Sequence, residues 1–148
     1  MADTQQVPLY RKIVVPFDGS SGSISALRRG LAIAKEQGAE LICLSVDEAL
    51  PRYAPGVGQV DQDESAERAY FEELWGQARG MAAVAGVAIK TEGVEGHAAH
   101  AILRFAAESQ CDLIAIGHSG RTGVWGTLLG STAARVVDQA TCDVLVAR

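Results

Sequence analysis

The sequence predicts an α/β protein, in which a five-stranded parallel sheet of order 3-2-1-4-5 carries helices on both faces. Two observations predict this fold. Short apolar runs that lack polar alternation are typical of strands buried on both faces. Segments with apolar residues three and four positions apart are typical of amphipathic helices, and they alternate with the runs along the chain. The resulting order, βαβαβαβαβ, indicates a Rossmann-like sheet in which helices connect parallel strands.

Four runs have the composition of buried strands, and a fifth is weaker. The four are Lys12–Asp18, Leu41–Asp47, Leu113–His118 and Asp143–Ala147. The fifth, Val87–Val94, alternates between apolar and polar residues, and so we expect it nearer an edge of the sheet.

Four helical patterns lie between the strands, and turn or capping residues bound them. Ser20, Ser21 or Ser23 is available to cap the first helix, and Gly38 and Gly86 are predicted to end the first and second. The apolar residues that predict the helices are Ile24, Leu27, Leu31 and Ala34; Tyr70, Leu74, Ala78, Met81 and Ala85; Ala98, Ile102, Phe105 and Ala106; and Ala133, Val136, Val137 and Ala140, which follow Ser131 and Thr132. Between the second strand and the second helix, Glu48–Asp63 is predicted to be a long functional or mobile loop.

Length and charge limit the function classes. With 148 residues we expect one domain, 1–148, whose first ten residues fray. The net charge is −5, and no dense Lys/Arg cluster occurs, which argues against nucleic-acid binding. No apolar run approaches the length of about 20 residues that spans a bilayer. The amino-terminal residues lack the pattern of a secretory signal, and we therefore expect a cytoplasmic protein without membrane contacts.

The three cysteines, Cys43, Cys111 and Cys142, lie far apart in the sequence. An odd and scattered set indicates a reducing compartment rather than a disulfide scaffold. We expect them to fill the core. His97 and His100 share a helical face, but no further ligands accompany them, and so we expect no zinc site.

A glycine-rich segment follows the predicted fourth strand. In an open α/β sheet ligands bind beyond the carboxyl ends of the strands where the strand order reverses, here between strands one and four. Gly117, Gly120, Gly123, Gly126 and Gly130 come directly after strand four and precede a helix. Such a segment places free backbone amides and a helix amino terminus together, an arrangement typical of phosphate binding.

Common phosphate motifs are absent from this segment. A P-loop needs a lysine before its Ser/Thr, whereas Leu129 precedes Gly130-Ser131. The dinucleotide fingerprint needs GxGxxG after the first strand, where this chain has DGSSGS.

The glycine segment instead resembles the ATP-binding signature of the universal stress protein family. That signature is Gly-x2-Gly-x9-Gly-Ser/Thr, and Gly117, Gly120, Gly130 and Ser131 match it without a gap. The resemblance extends over almost the whole chain, from VVPFDGS near the start to CDVLV near the end. It implies the Rossmann-like fold of the adenine nucleotide α-hydrolases.

The resemblance also implies which residues surround ATP. Pro16, Asp18 and Val46 are expected around the adenosine, with Asp18 near the ribose and the Val46 backbone at the adenine, and Ile116 is expected in the same nucleotide site. The phosphates are expected at the residues Gly117, Gly120, Gly130, Ser131 and Thr132, with Arg121 as either a phosphate partner or a solvated arginine. Mg²⁺ or Mn²⁺ would be carried by the phosphates. His118-Ser119 departs from the Thr/Ser-then-His/Arg order common in the family.

The function that the resemblance implies is a nucleotide-dependent regulator or sensor in the stress response, acting as a homodimer that pairs through the last strand, Asp143–Ala147. Two alternatives stay open at this point, a ligand-free dimeric scaffold and a slow ATP hydrolase. No acid–base pair or catalytic lysine stands out near the glycines, and so we expect hydrolysis to be slow at most. Asp18 is also a candidate for a helix cap rather than a ribose contact.

Overall fold

The computed structural model describes residues 7–48, 57–119 and 128–148, and within 57–63 it describes the backbone alone. Nine elements alternate along these residues. They are β1 (Lys12–Pro16), α1 (Ser21–Gln37), β2 (Glu40–Asp47), α2 (Val57–Ala85), β3 (Ile89–Glu95), α3 (Ala98–Glu108), β4 (Leu113–Gly117), α4 (Ser131–Gln139) and β5 (Asp143–Ala147). The strands form one sheet of order β3-β2-β1-β4-β5 in which every neighbouring pair is parallel. The predicted fold class and strand order are confirmed.

The core lies on both faces of the sheet. Ile13 and Val15 of β1 point to the face covered by α1 and α2, and Val14 between them points to the face covered by α3 and α4. All three side chains are fully buried. A strand that is buried on both faces needs apolar residues at every position, which is why the runs show no polar alternation. We call the two sides the α1/α2 face and the α3/α4 face.

Several predicted boundaries are wrong. β2, β3 and β4 differ from the prediction by one or two residues, being Glu40–Asp47, Ile89–Glu95 and Leu113–Gly117. β1 ends at Pro16 rather than Asp18, because the chain turns after Phe17 toward α1. The loop predicted for Glu48–Asp63 is shorter, because α2 already begins at Val57. Beyond Pro55 and Gly56 the sequence contains many good helix formers and no proline, which favours an earlier helix start. Residues 49–56 lie outside the described residues.

The ends of α1 and the placement of β3 agree with the sequence. Ser20 caps α1 by accepting a hydrogen bond from the Ser23 N–H, and Gly38 ends it with a φ of 67°. β3 is an edge strand of the sheet. In α4, by contrast, Gly130 is the N-cap and Val137 is 47% exposed, so Val137 is not part of the buried stripe as predicted.

The amino ends of β1 and β4 are joined by a carboxylate. Asp112 accepts hydrogen bonds from the backbone N–H groups of Arg11 (2.8 Å) and Lys12 (3.0 Å), and its own N–H donates to the Lys12 carbonyl (3.0 Å). The Tyr10 hydroxyl donates to Asp143 at 2.8 Å, which raises the pKa of Tyr10. Tyr10 is therefore attached to β5, and residues 1–6 lie outside the described part of the chain.

The cysteines are free thiols. Cys43 and Cys111 are buried in the core, as predicted, and Cys142 is half-buried. Among the helices that the structure describes, none combines the length and the hydropathy required to cross a membrane.

Candidate nucleotide site

A cavity of about 640 Å³ opens at the carboxyl ends of the strands, where the strand order reverses between β1 and β4. Its walls come from the ends of β1, β2 and β4, the starts of α3 and α4, and one face of α2. Eight of the predicted site residues line it: Pro16, Asp18, Val46, Ile116, Gly117, Gly130, Ser131 and Thr132. The other two, Gly120 and Arg121, lie outside the described residues.

Three helices begin at this cavity, and they differ in what occupies their amino termini. The Ser20 side chain caps α1. The Glu48 carboxylate accepts a hydrogen bond from the Ala98 N–H at the start of α3, at 2.9 Å. The N-cap of α4 is Gly130, which has no side chain to accept such a bond. A helix amino terminus carries partial positive charge and unpaired N–H groups, and at α4 no side chain among the described residues caps them.

The segment between β4 and α4 is closed at its base by backbone hydrogen bonds. The His118 N–H donates to the Ala147 carbonyl at 2.6 Å, which extends the pairing of β4 with β5 by one residue. The His118 carbonyl then accepts from the Gly130 N–H at 2.8 Å. The ends of the glycine segment therefore meet at a fixed distance, beside the amino terminus of α4.

Gly117 and Gly22 touch through their backbones. A Cβ atom on Gly117 would lie 2.5 Å from the Gly22 carbonyl carbon and 2.9 Å from its Cα. A Cβ atom on Gly22 would collide with the Ser119 carbonyl oxygen. The first turn of α1 is thus packed directly onto the end of β4, which no side chain larger than hydrogen allows at either position. Gly117 has this packing role in addition to the predicted role at the phosphates.

The ends of β1 and β2 stay paired beyond the last strand residue of β1. The Phe17 N–H donates to the Leu44 carbonyl at 2.8 Å, and the fully buried Ser45 hydroxyl donates to the Phe17 carbonyl at 2.8 Å. Asp18 follows, and one of its carboxylate oxygens accepts from the Ser20 N–H at 2.9 Å. These bonds hold Asp18 beside the end of β2. We call this junction between the ends of β1 and β2 the seam.

The charge of the cavity is negative over its described lining. Four carboxylates line it, those of Asp18, Asp47, Glu48 and Glu67, while no lysine or arginine does so among the described lining residues. His97 and His118 are the imidazoles in that lining. Within the described ranges, 7–48, 57–119 and 128–148, no three His, Cys, Asp or Glu residues are grouped as metal ligands. A polyanion in this cavity needs backbone amides or an accompanying cation to offset the carboxylates.

The sequence model of the universal stress protein family matches residues 9–148. The chain belongs to the universal stress protein family. A universal stress protein of Methanocaldococcus jannaschii is 38% identical over 141 residues, which are 95% of this chain and 83% of that protein.

Solved structures of the family agree with the fold. Universal stress protein UspA from Lactobacillus plantarum superposes with a TM-score of 0.82 at 30% identity and covers 94% of this chain and 98% of its own. A universal stress protein crystallised in complex with cAMP gives a TM-score of 0.71 at 29% identity, covering 95% of this chain and 98% of its own.

Two residues that matter for the site in this universal stress protein were missed by the sequence reasoning. Gly22 lies in the first turn of α1, where glycine costs helix stability, and that cost is the signal that points to a close backbone contact. Ser45 carries a weaker signal, a lone hydroxyl within the apolar run of β2. Buried hydroxyls are almost always hydrogen-bonded, and here the partner is the backbone that leads to Asp18.

Replacing Ser45 by alanine is expected to lower the free energy of unfolding by about 1–3 kcal/mol, because the buried Phe17 carbonyl loses its side-chain donor. Chemical denaturation measures this loss. Ser23→Ala is the matched control, since its hydroxyl is also buried but donates within one helix, to the Ser20 carbonyl. We expect the smaller loss at Ser23. An equal loss in both variants would contradict a special role for the seam.

Proposed function

We propose that this chain is an ATP-binding universal stress protein that acts as a nucleotide-dependent regulator or sensor in the stress response. The observation that carries the proposal is the amino terminus of α4. It opens onto a cavity at the strand-order reversal, its N-cap is a glycine, and two hydroxyl residues, Ser131 and Thr132, follow. The other two helices that start at the cavity already have side-chain acceptors. This difference supports phosphate binding at the amino terminus of α4.

The ends of β1 and β2 support the proposal that the adenosine binds there. Asp18 uses one oxygen for the Ser20 N–H, and its second oxygen makes no hydrogen bond to any described residue. That oxygen suits a ribose hydroxyl, so the capping and ribose interpretations of Asp18 are compatible. Val46 stands at the end of β2 on the same cavity, where its backbone is available to the adenine edge.

A divalent cation carried by the phosphates fits the charge of the cavity. Asp18, Asp47 and Glu48, which line the cavity, repel a free triphosphate. Mg²⁺ or Mn²⁺ would neutralise phosphate charge while needing no cage of protein ligands. The residues of this chain then contribute binding and orientation. We propose slow hydrolysis at most.

Calorimetric titration of nucleotide-free protein tests the proposal. We expect micromolar binding of Mg-ATP, and weaker binding when EDTA removes the cation. AMP carries less charge, and its affinity should depend less on the cation. Absence of binding by ATP, AMP and cAMP, with no thermal stabilisation, would contradict nucleotide binding and leave the ligand-free scaffold as the better interpretation.

A pair of substitutions at Asp18 separates its two roles. Asp18→Asn keeps an oxygen for the Ser20 N–H but removes the charge, whereas Asp18→Ala removes both. We expect both variants to bind ATP at least about tenfold more weakly, the loss of a charge-assisted hydrogen bond, and only Asp18→Ala to lose stability as well. Unchanged ATP affinity in Asp18→Asn would contradict the ribose contact.

We also propose a homodimer that pairs through β5. The two edge strands differ, because β3 carries Lys90, Glu92 and Glu95, while β5 presents the partly exposed Val144, Leu145 and Val146. Charged residues protect an edge, and an apolar edge favours pairing with another strand. Light scattering should therefore give twice the monomer mass, and Val144→Lys should shift the measured mass toward that of the monomer.

The free thiols fit the proposed cytoplasmic location, because thiols stay reduced in that compartment.

A further inference from the structure

A second cavity, of about 510 Å³, lies between the carboxyl-terminal ends of α3 and α4, at the opposite end of the sheet from the candidate nucleotide site. Two thiols, those of Cys111 and Cys142, line it. Both pack in the core cluster of the α3/α4 face. Nothing in the proposed nucleotide binding uses either of them.

The strand register brings these cysteines together. Leu113 of β4 pairs with Asp143 of β5, so that the residues just before the two strands, Asp112 and Cys142, continue side by side. Cys111 is one residue further back. With the spacings of regular strands, about 4.8 Å between neighbouring strands and 3.8 Å between consecutive Cα atoms, the Cα atoms of the two cysteines would lie roughly 5–7 Å apart. This range includes the separation that disulfides require.

Side-chain direction agrees with this placement. The Cys142 sulfur lies beside the backbone N–H of Ile114, on the strand that follows Cys111. Ile114 and both cysteines line the same cavity and pack on the α3/α4 face. Cys43 differs from both, because it lies on the α1/α2 face, on the other side of the sheet.

We propose that Cys111 and Cys142 are a redox pair that forms an intramolecular disulfide when the protein meets a hydroperoxide. The half-buried Cys142 reacts first, its sulfur attacking the peroxide oxygen to give a sulfenic acid and one molecule of water or alcohol. Cys111 then attacks that sulfur, the S–S bond forms, and the sulfenic oxygen leaves as one molecule of water. The two thiols lose two electrons in total, and the peroxide gains them.

The surroundings make the pair slow to react. Burial raises the pKa of Cys111 to about 11, and burial also raises the pKa of Cys142. Few thiolates are present at neutral pH, and so the reaction needs sustained exposure to oxidant. Once formed, the bond closes the chain segment from 111 to 142, which contains β4 and α4. Constraining so long a segment in the unfolded chain should raise the Tm by roughly 5–10 °C.

Mass spectrometry of the full chain tests the proposal. Hydrogen peroxide treatment, followed by unfolding and alkylation without reductant, should give a protein about 2 Da lighter that takes up one alkyl group, at Cys43. Peptide mapping should recover Cys111 joined to Cys142, and dithiothreitol should restore three alkylations. Cys43→Ser is the matched control and should still form the bond. Cys111→Ser and Cys142→Ser should not form it, and their Tm should not rise on oxidation.

Two results would overturn the proposal. One is that both thiols are recovered unpaired after a peroxide treatment that oxidises other thiols, or that both become sulfinic acids with no disulfide between them. The other is a disulfide between two chains in place of the internal one. Both results are measured on the wild type, so neither depends on a variant that fails to fold.

Discussion

A Gly117→Ala protein is expected to lose about 3 kcal/mol of the free energy of unfolding. The added methyl group would lie 2.5 Å from the Gly22 carbonyl carbon, and both atoms belong to elements that cannot turn away. β4 is fixed by β1 and β5, and the first turn of α1 is fixed by its Ser20 cap. The strain must therefore be taken up by moving α1 relative to the sheet.

The same displacement should weaken nucleotide binding. The contact between α1 and the end of β4 sets the position of His118, whose carbonyl accepts from the Gly130 N–H at the start of α4. Moving the end of β4 shifts the amino terminus of α4 relative to Asp18. We expect ATP affinity to fall at least about tenfold, an effect that calorimetry would detect.

Gly76→Ala is the control for the loss of stability. Nothing lies within 4 Å of a Cβ at Gly76, which is in the middle of α2. Glycine in the exposed interior of a helix is destabilising. The free energy of unfolding of this variant should therefore rise by about 0.5–1 kcal/mol. Urea titration of both variants measures the two changes. A Gly117→Ala protein as stable as the wild type would show that the close approach of Gly22 is not what requires glycine there.

Much of the fold follows from periodicity. The central strands are recognisable because burial on both faces leaves no room for polar residues in Leu41–Leu44 or Leu113–Ile116. Where boundaries differ, tertiary contacts decide. Phe17 leaves the β1 ladder yet remains buried, since Leu44 and Ser45 still bind its backbone. No local pattern distinguishes such a residue from a strand residue.

The candidate site could be predicted only as a set of positions. Strand order and the glycine spacing identify the edge of the sheet that holds Gly117 and Gly130, and the structure brings them together with Asp18 and Val46. Contacts between distant segments leave no such pattern. The Glu48 carboxylate at the start of α3 joins residues that are 50 positions apart. Gly22 likewise meets Gly117 through backbone atoms alone.

Asp112→Ala should lower the free energy of unfolding by about 2–3 kcal/mol. The carboxylate accepts from two consecutive backbone N–H groups, those of Arg11 and Lys12, where β1 begins. Without it both donors lose their acceptor, and the one at Lys12 is partly buried. Water can satisfy the exposed donor at Arg11, which keeps the expected loss below that of two fully buried charged hydrogen bonds.

Asp112→Asn separates the hydrogen bonds from the charge, because its single amide oxygen can still serve one of the two N–H groups. We expect this variant to lose about half as much free energy of unfolding as Asp112→Ala, roughly 1 kcal/mol.

Hydrogen exchange should show that the amides of Arg11 and Lys12 exchange faster in both variants. Exchange at the carboxyl ends of the strands should not change, because the cavity lies at the other end of the sheet. Nucleotide affinity should consequently stay at the wild-type value in both variants. If Asp112→Ala weakened ATP binding as strongly as Gly117→Ala, the two ends of the sheet would be coupled, and the separation of a supporting end from a binding end would be wrong.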